Sequence, residues 1–197
     1  QLIIQSSKDF GIDLNAKDND SENFECTALH HACINGKTET VQMIIRYSKD
    51  FDIDLNAKNN DGWTAFHYAS YFGQTKTVQL MIQSSKDFDI DLNAKDNGRW
   101  TALHRACEYG RTETAQLIIQ SSKDFGIDLN DKDNDGWTTL HWACQYGETE
   151  TVETMMKHWK EYSIDIKSRN NEGKTALDLI DEEDGHQIKK MLENEYS

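Results

Sequence analysis

Ala102, Leu103, Ala106 and Cys107 fall on one helical face, with polar residues between them. Thr101, just before them, has the chemistry of a helix N-cap, and Gly110 ends the segment. A second helix is predicted from Thr112, with Glu113 favourably placed in its first turn and Ala115, Ile118 and Ile119 forming its apolar stripe. Gly126 can then supply a left-handed residue. Upstream, "DLNAKDNGRW" at 91–100 is polar and rich in turn formers, and is read as an extended hairpin. The unit is therefore hairpin, helix, turn, helix. No single unit can bury both helices, so stacking on neighbours has to do so.

The same pattern recurs along the chain. Thr-Ala-Leu-His begins at Thr27, and its relatives begin at Thr64, Thr101, Thr138 and Thr175, each step being 37 residues. "QLIIQSSKDFGI" at 1–12 returns unchanged at 116–127. Periodicity of this kind signals a repeat array. One domain over 1–197 is expected, with a partial repeat at 1–12, full repeats at 13–53, 54–90, 91–127 and 128–164, and a terminal unit at 165–197. Because the chain opens inside a unit, it reads as part of a longer array or as an array with a truncated first unit.

The segments "TALHHA", "TAFHYA", "TALHRA" and "TTLHWA", together with "DLNA" and the hairpin glycines, resemble the ankyrin repeat family. The resemblance covers essentially the whole chain. It implies an all-α helical repeat solenoid, an ankyrin stack of hairpin–helix–turn–helix units that binds other proteins. Two departures stand out: Ala or Thr replaces the signature proline, and the period is 37 where about 33 is usual. The four extra residues fall at "SSKDF", which predicts a second helix about one turn longer. Phe10, Phe51, Phe88, Phe125 and Tyr162 recur there and are expected to stack as an apolar ladder. An insertion near "SENF" (21–24) enlarges the first hairpin, and the charged last unit, with Asp178 in place of His, suits a C-terminal cap. The resemblance further implies that each repeated His bonds the capping Thr and the adjacent hairpin backbone. It also implies that Asn15, Asn56, Asn93 and Asn130 occupy the position where ankyrin hairpins are hydroxylated.

Charge narrows the range of partners. Twenty-one Lys and Arg face 35 Asp and Glu, a formal net charge of −14, which repels nucleic acid and anionic membranes and attracts basic partners. No apolar run approaches the roughly 18 residues of a membrane span, and the first residues lack the basic and apolar segments of a signal peptide. Four cysteines in 197 residues do not make a disulfide scaffold, so an intracellular, cytoplasmic setting is expected.

Two stretches imitate metal sites. Asp131, Asp133, Asp135 and Gly136 resemble half of a calcium loop, but the position that needs a bidentate Glu holds Trp142, and the acidic residues change from unit to unit. Cys26, His30 and Cys33 share a helical face, yet His30 and Cys33 occupy repeat positions and a fourth ligand is lacking. Of the cysteines, Cys26 is the one expected within reach of reagents. The recurrent histidines have no partnering nucleophile, and no phosphate loop or metalloprotease motif occurs. No enzyme activity and no cofactor are implied.

What varies between units is the better seat of function. The positions before the Thr and after the His hold Trp63, Trp100 and Trp137, and Tyr68, Arg105 and Trp142. Later in the first helix come Tyr71, Glu108 and Gln145, then Tyr109 and Tyr146 (Phe72 varies at the same register but is outside the predicted set); Arg99 lies at a hairpin tip. These twelve residues are the predicted partner-binding set, lining a concave groove on a monomer that grips a protein or peptide, expected to be basic. Arg99 and Arg105 are expected to meet carboxylates of the partner. Alanine at Trp100, Arg105 and Trp137 together is expected to abolish binding with helicity unchanged. The alternatives are a structural spacer within a longer array, in which each Trp only stiffens the stack, and weak calcium binding at the acidic hairpins.

Overall fold

A computed structural model describes residues 13–18, 25–180 and 185–196. The partial repeat at 1–12, Phe10 and the insertion at 21–24 lie outside the described residues.

Helices alternate between seven residues and, in three units, fourteen: α1 Ala28–Ile34, α2 Thr38–Phe51, α3 Ala65–Tyr71, α4 Thr75–Phe88, α5 Ala102–Glu108 and α6 Thr112–Phe125. They are followed by α7 Thr139–Gln145, α8 Thr149–His158, a 3-10 turn Ala176–Leu179, and α9 His186–Tyr196. The short helices and the 3-10 turn pack in order as one layer, and α2, α4, α6, α8 and α9 pack as a second. A seven-residue helix is unstable alone. Here Ala32 and Cys33, Ala69 and Ser70, Ala106 and Cys107, and Ala143 and Cys144 let short helices approach closely, and all are buried. Val78, Met81 and Ile82 of α4 and Ala115, Ile118 and Ile119 of α6 continue one apolar cluster through the stack.

The second helix does take in the extra turn, running through "SKDF" in α2, α4 and α6. It ends on a left-handed residue, Asp52, Asp89 or Gly126. α8 stops four residues short. At the register of buried Ser48, Ser85 and Ser122 it carries Trp159, half-buried and too large for that seat, and 159–163 form turns.

The expected aromatic ladder does not form among the described residues Phe88, Phe125 and Tyr162. Neighbouring helices lie about 8–10 Å apart, so equivalent rings are beyond the 4.5–7 Å of an aromatic pair. A lysine spans the gap instead: Lys49 Nζ lies 5.2 Å from the Phe88 centroid, and Lys86 Nζ 5.0 Å from that of Phe125.

The predicted hairpins are turns more than strands, with one isolated bridge, Lys132 to Thr138, among the described residues. Their backbones nevertheless join into a continuous stack. Asn97 N–H donates to Asp61 O (3.0 Å), Asn134 to Gly98 (3.1 Å) and Asn171 to Asp135 (3.0 Å). That approach explains the hairpin glycine: a Cβ on Gly136 would stand 2.9 Å from the Asn171 nitrogen. The "DLNA" asparagines tie the loops in the same way. Asn93 donates to Gly126 O and accepts from Asp128 N–H, both at 2.8 Å, and Asn15, Asn56 and Asn130 repeat the arrangement.

Candidate partner-binding groove

Each repeated histidine is a buried strut. His67 Nε2 donates to Trp100 O (2.9 Å), which leaves Nδ1 to accept from Thr64 Oγ1 (2.9 Å) and Thr64 N–H (3.2 Å). His30, His104 and His141 repeat the geometry toward Trp63, Trp137 and Lys174. Burial lowers the basicity of all four, to about 4 in His67 and His104. In the last unit Asp178 accepts from Thr175 N–H and Oγ1, keeping the cap without a strut.

The strut delivers the hairpin tryptophan to the groove. Trp63, Trp100 and Trp137 are half-buried, and residues of the following short helix interleave with them. The Arg105 guanidinium lies 4.5 Å from the Trp63 ring and 4.3 Å from Trp100, and the Trp142 ring sits 4.4 Å from Trp100 and 4.5 Å from Trp137. Tyr68 packs 4.9 Å from Trp63 while Cys26 Sγ donates to its hydroxyl (3.6 Å). Cys26 is therefore buried, correcting the expectation that reagents reach it. Cys33, Cys107 and Cys144 are buried thiols too, and burial raises the pKa of each, in Cys33 and Cys144 to about 12.

The residue after the His also answers the residue that shapes its hairpin. Asn59, Asp96 and Asp133 each use Oδ1 to accept two backbone N–H groups of the turn; Asp133 takes those of Asp135 (2.9 Å) and Trp137 (2.8 Å). The other side-chain atom faces the helix. Asn59 Nδ2 donates to Tyr68 Oη (2.9 Å), Arg105 donates to Asp96 Oδ2 (2.5 Å), and Trp142 Nε1 donates to Asp133 Oδ2 (2.9 Å). Asp131, another member of the calcium-like stretch, pairs with Lys95 (2.5 Å). Asp131 and Asp133 are thus committed to the fold. Arg105 also bonds Glu108 (2.9 Å), so its terminal nitrogens are occupied within the chain and do not await a partner's carboxylate.

In the last unit the pairing fails. Asn170 Oδ1 still holds its hairpin, but Leu179 offers no acceptor and Asn170 Nδ2 is buried without a hydrogen bond. Leu179→Tyr, copying the Asn59–Tyr68 pair, is expected to raise stability by about 1 kcal/mol. Urea unfolding followed by circular dichroism measures this; no gain would mean that the 3-10 turn holds the side chain out of reach.

Three rings remain largely exposed: Phe72, Tyr109 and Tyr146, at 41%, 42% and 49%. They share one register toward the end of the first helix. Tyr71 touches Tyr109 (4.1 Å), and the Tyr146 ring stacks 5.7 Å from Trp142. Gln145 is exposed beside them, while Glu108 and Tyr71 are half-buried. Arg99 is exposed and holds φ +63°, at the register where Gly62, Gly136 and Gly173 stand in other units. Ring contacts join Trp63, Tyr68, Tyr71, Phe72 and Tyr109, and likewise Trp100, Trp137, Trp142 and Tyr146, with Arg105 between the two groups and Glu108 bonded to it, whereas Arg99 donates to Lys132 O (3.4 Å). Phe72 shares the register of Tyr109 and Tyr146.

The ankyrin repeat model, which spans three copies, matches residues 1–96, 51–133, 86–170 and 122–193. The chain belongs to the ankyrin repeat family. Ankyrin repeats mediate protein–protein interaction, and the family is typically non-enzymatic. No curated protein matches this ankyrin chain. Among the described residues no helix is long and apolar enough to cross a membrane.

Proposed function

We propose that this ankyrin domain is a non-enzymatic, monomeric scaffold that binds a basic segment of another protein along its hairpin tips and short helices. The observation that carries the reading is the row of Phe72, Tyr109 and Tyr146, exposed at one register on an aromatic wall. Rings of this kind dominate binding energy at protein interfaces. Arg99 supports it: a left-handed arginine where neighbouring units use glycine is backbone strain retained at a groove edge.

The triple change at Trp100, Arg105 and Trp137 does not test this, because those residues hold units together. Serine at Phe72, Tyr109 and Tyr146 does. Changes at these surface positions are expected to lower the melting temperature by no more than about 3–6 °C, leaving the array folded. Binding to a panel of Lys- and Arg-rich peptides, measured by fluorescence anisotropy, is expected to fall at least tenfold, as loss of hot-spot residues implies (about 2 kcal/mol or more each). Undiminished binding, or equal binding to Asp- and Glu-rich peptides, refutes the reading. A spacer role is the second reading, favoured by the continuous Trp63–Arg105–Trp100–Trp142–Trp137 packing, which couples units mechanically. A spacer without a groove ligand binds none of the peptides.

A further inference from the structure

The aromatic wall is not uniform. At its N-terminal end the first three described units form a cleft of about 380 Å³, at the small end of ligand sites and suited to one long side chain. Trp63, Tyr68, Tyr71, Phe72 and Tyr109 line it. Ring centroids 4.1 to 5.2 Å apart, from Tyr68 through Trp63 and Tyr71 to Tyr109, make those walls one continuous aromatic surface.

Two carboxylates reach the same cleft. Asp18 bonds His31 (2.5 Å) and accepts from Cys26 N–H (2.8 Å), interactions that hold its pKa below the usual carboxylate range. Asp61 is exposed at the rim, and no cation of the described residues pairs with its carboxylate. A cation of the chain already packs on these rings: Arg105, at the register of Tyr68, lies between Trp63 and Trp100 with Asp96 and Glu108 on its terminal nitrogens. Those two carboxylates neutralise Arg105, so it does not repel a second cation on the Tyr71 side of Trp63. Aromatic faces with a nearby carboxylate select cations on aliphatic stems.

We infer that this cleft receives a single cationic side chain of the bound protein, a lysine, a methylated lysine or an arginine, and so anchors the basic segment. The assignment rests on the groove reading and gives that groove its specificity pocket. The occupant follows from charge complementarity: π-faces and a carboxylate that no cation of the described residues pairs, in a chain of net charge −14.

The test uses the whole chain with 15N-labelled indoles and short Gly/Ser peptides that differ at one central residue: lysine, trimethyllysine, arginine or neutral norleucine. At least one cationic peptide is expected to shift the Trp63 indole signal, assigned by Trp63→Phe, and to leave Trp137 in place. Norleucine is expected to shift nothing. Asp61→Asn is expected to weaken the best cationic peptide by about fivefold, as one carboxylate near 4 Å from the cation in a water-facing site gives. Phe72→Ala, at an exposed position, is expected to weaken it further without unfolding. Which cationic peptide binds best identifies the side chain. Equal binding of norleucine, or an Asp61→Asn variant that binds unchanged, overturns the assignment. Shifts confined to Trp137 and Trp142 overturn the cleft and leave the groove reading standing. If no peptide shifts any indole at millimolar concentration the cleft assignment falls, and the anisotropy experiment on Phe72, Tyr109 and Tyr146 then judges the groove separately.

Discussion

Lowering the pH from 7.5 to 4 is expected to unfold the array, with stability falling steeply below pH 6.5. The cause is the histidine struts. His67 and His104 are held neutral in the fold, their pKa depressed from 6.5 to about 4, chiefly by burial. Asp96 and Arg105 act on both and oppose each other, and Lys58 adds to the lowering at His67. A protonated ring would turn Nδ1 into a donor facing the Thr hydroxyl and N–H that now donate to it. The unfolded chain takes up these protons near pH 6.5, while the folded chain resists until about pH 4. The contribution is therefore complete above pH 6.5 and is lost as pH falls through 4. Each histidine accounts for roughly 3 kcal/mol, and two of them approach the 5–15 kcal/mol that holds a typical domain together. Urea unfolding at several pH values, read by circular dichroism and tryptophan fluorescence together, should give a slope of at least about 2.7 kcal/mol per pH unit around pH 5, the uptake of two protons by His67 and His104, to which the lowered His30 and His141 add. His104→Asn should lower that slope by about 1.4 kcal/mol per pH unit, one proton's share. A stability that stays flat between pH 7.5 and 5 would mean that the struts are protonated in the fold.

The capping threonines, the apolar faces of both helices and the long second helix were legible because each depends on residues close in sequence and is repeated at a fixed interval. The fate of Phe88 and Phe125 was not. Their spacing depends on the distance between stacked helices, which periodicity does not encode, and a lysine stem fits a gap that two rings cannot close. Trp159 shows the same limit: the rule that the helix gains a turn held until one unit put a large ring in a serine's seat.

The candidate site was legible as a list of variable positions but not as a division of labour. Trp100, Arg105 and Trp142 differ between units in the way contact residues do, and nothing along the chain says that they grip one another. The distinction lies in exposure. Tyr109 and Tyr146 sit just past the ends of their own short helices and reach solvent, whereas Arg105 lies between the tryptophans of two hairpins. The sequence does carry one signal of this division. Asn stands before the tryptophan of the unit whose helix carries Tyr68, and Asp before those carrying Arg105 and Trp142. An amide that donates meets a hydroxyl that accepts; a carboxylate meets a donor.

That pairing leads to the second large effect. Asp96→Asn keeps the hairpin, since Asn59 and Asn170 hold theirs through Oδ1. It also sets an amide donor against the Arg105 guanidinium in a site where the Asp96 side chain is 1% exposed and that of Arg105 17%. Removing one partner of a buried ion pair costs about 3–5 kcal/mol, because the remaining charge has lost its counter-ion. Glu108 stays on the other terminal nitrogen and places the expected loss at the lower end of that range. Asp96→Asn combined with Arg105→Tyr rebuilds, one unit along, the Asn59–Tyr68 contact the chain already contains, with the new ring packing between Trp63 and Trp100. The double variant is expected to recover most of the loss, although Arg105→Tyr alone removes the guanidinium from both indole faces. A double-mutant cycle in urea should return a coupling energy within the 0.5–3 kcal/mol range of residues in contact, toward its upper end. Additive losses would show that hairpin and helix are chosen independently. Strong coupling would make the residue after each histidine first a lock on its own hairpin, leaving the rings one turn further on free to meet a partner.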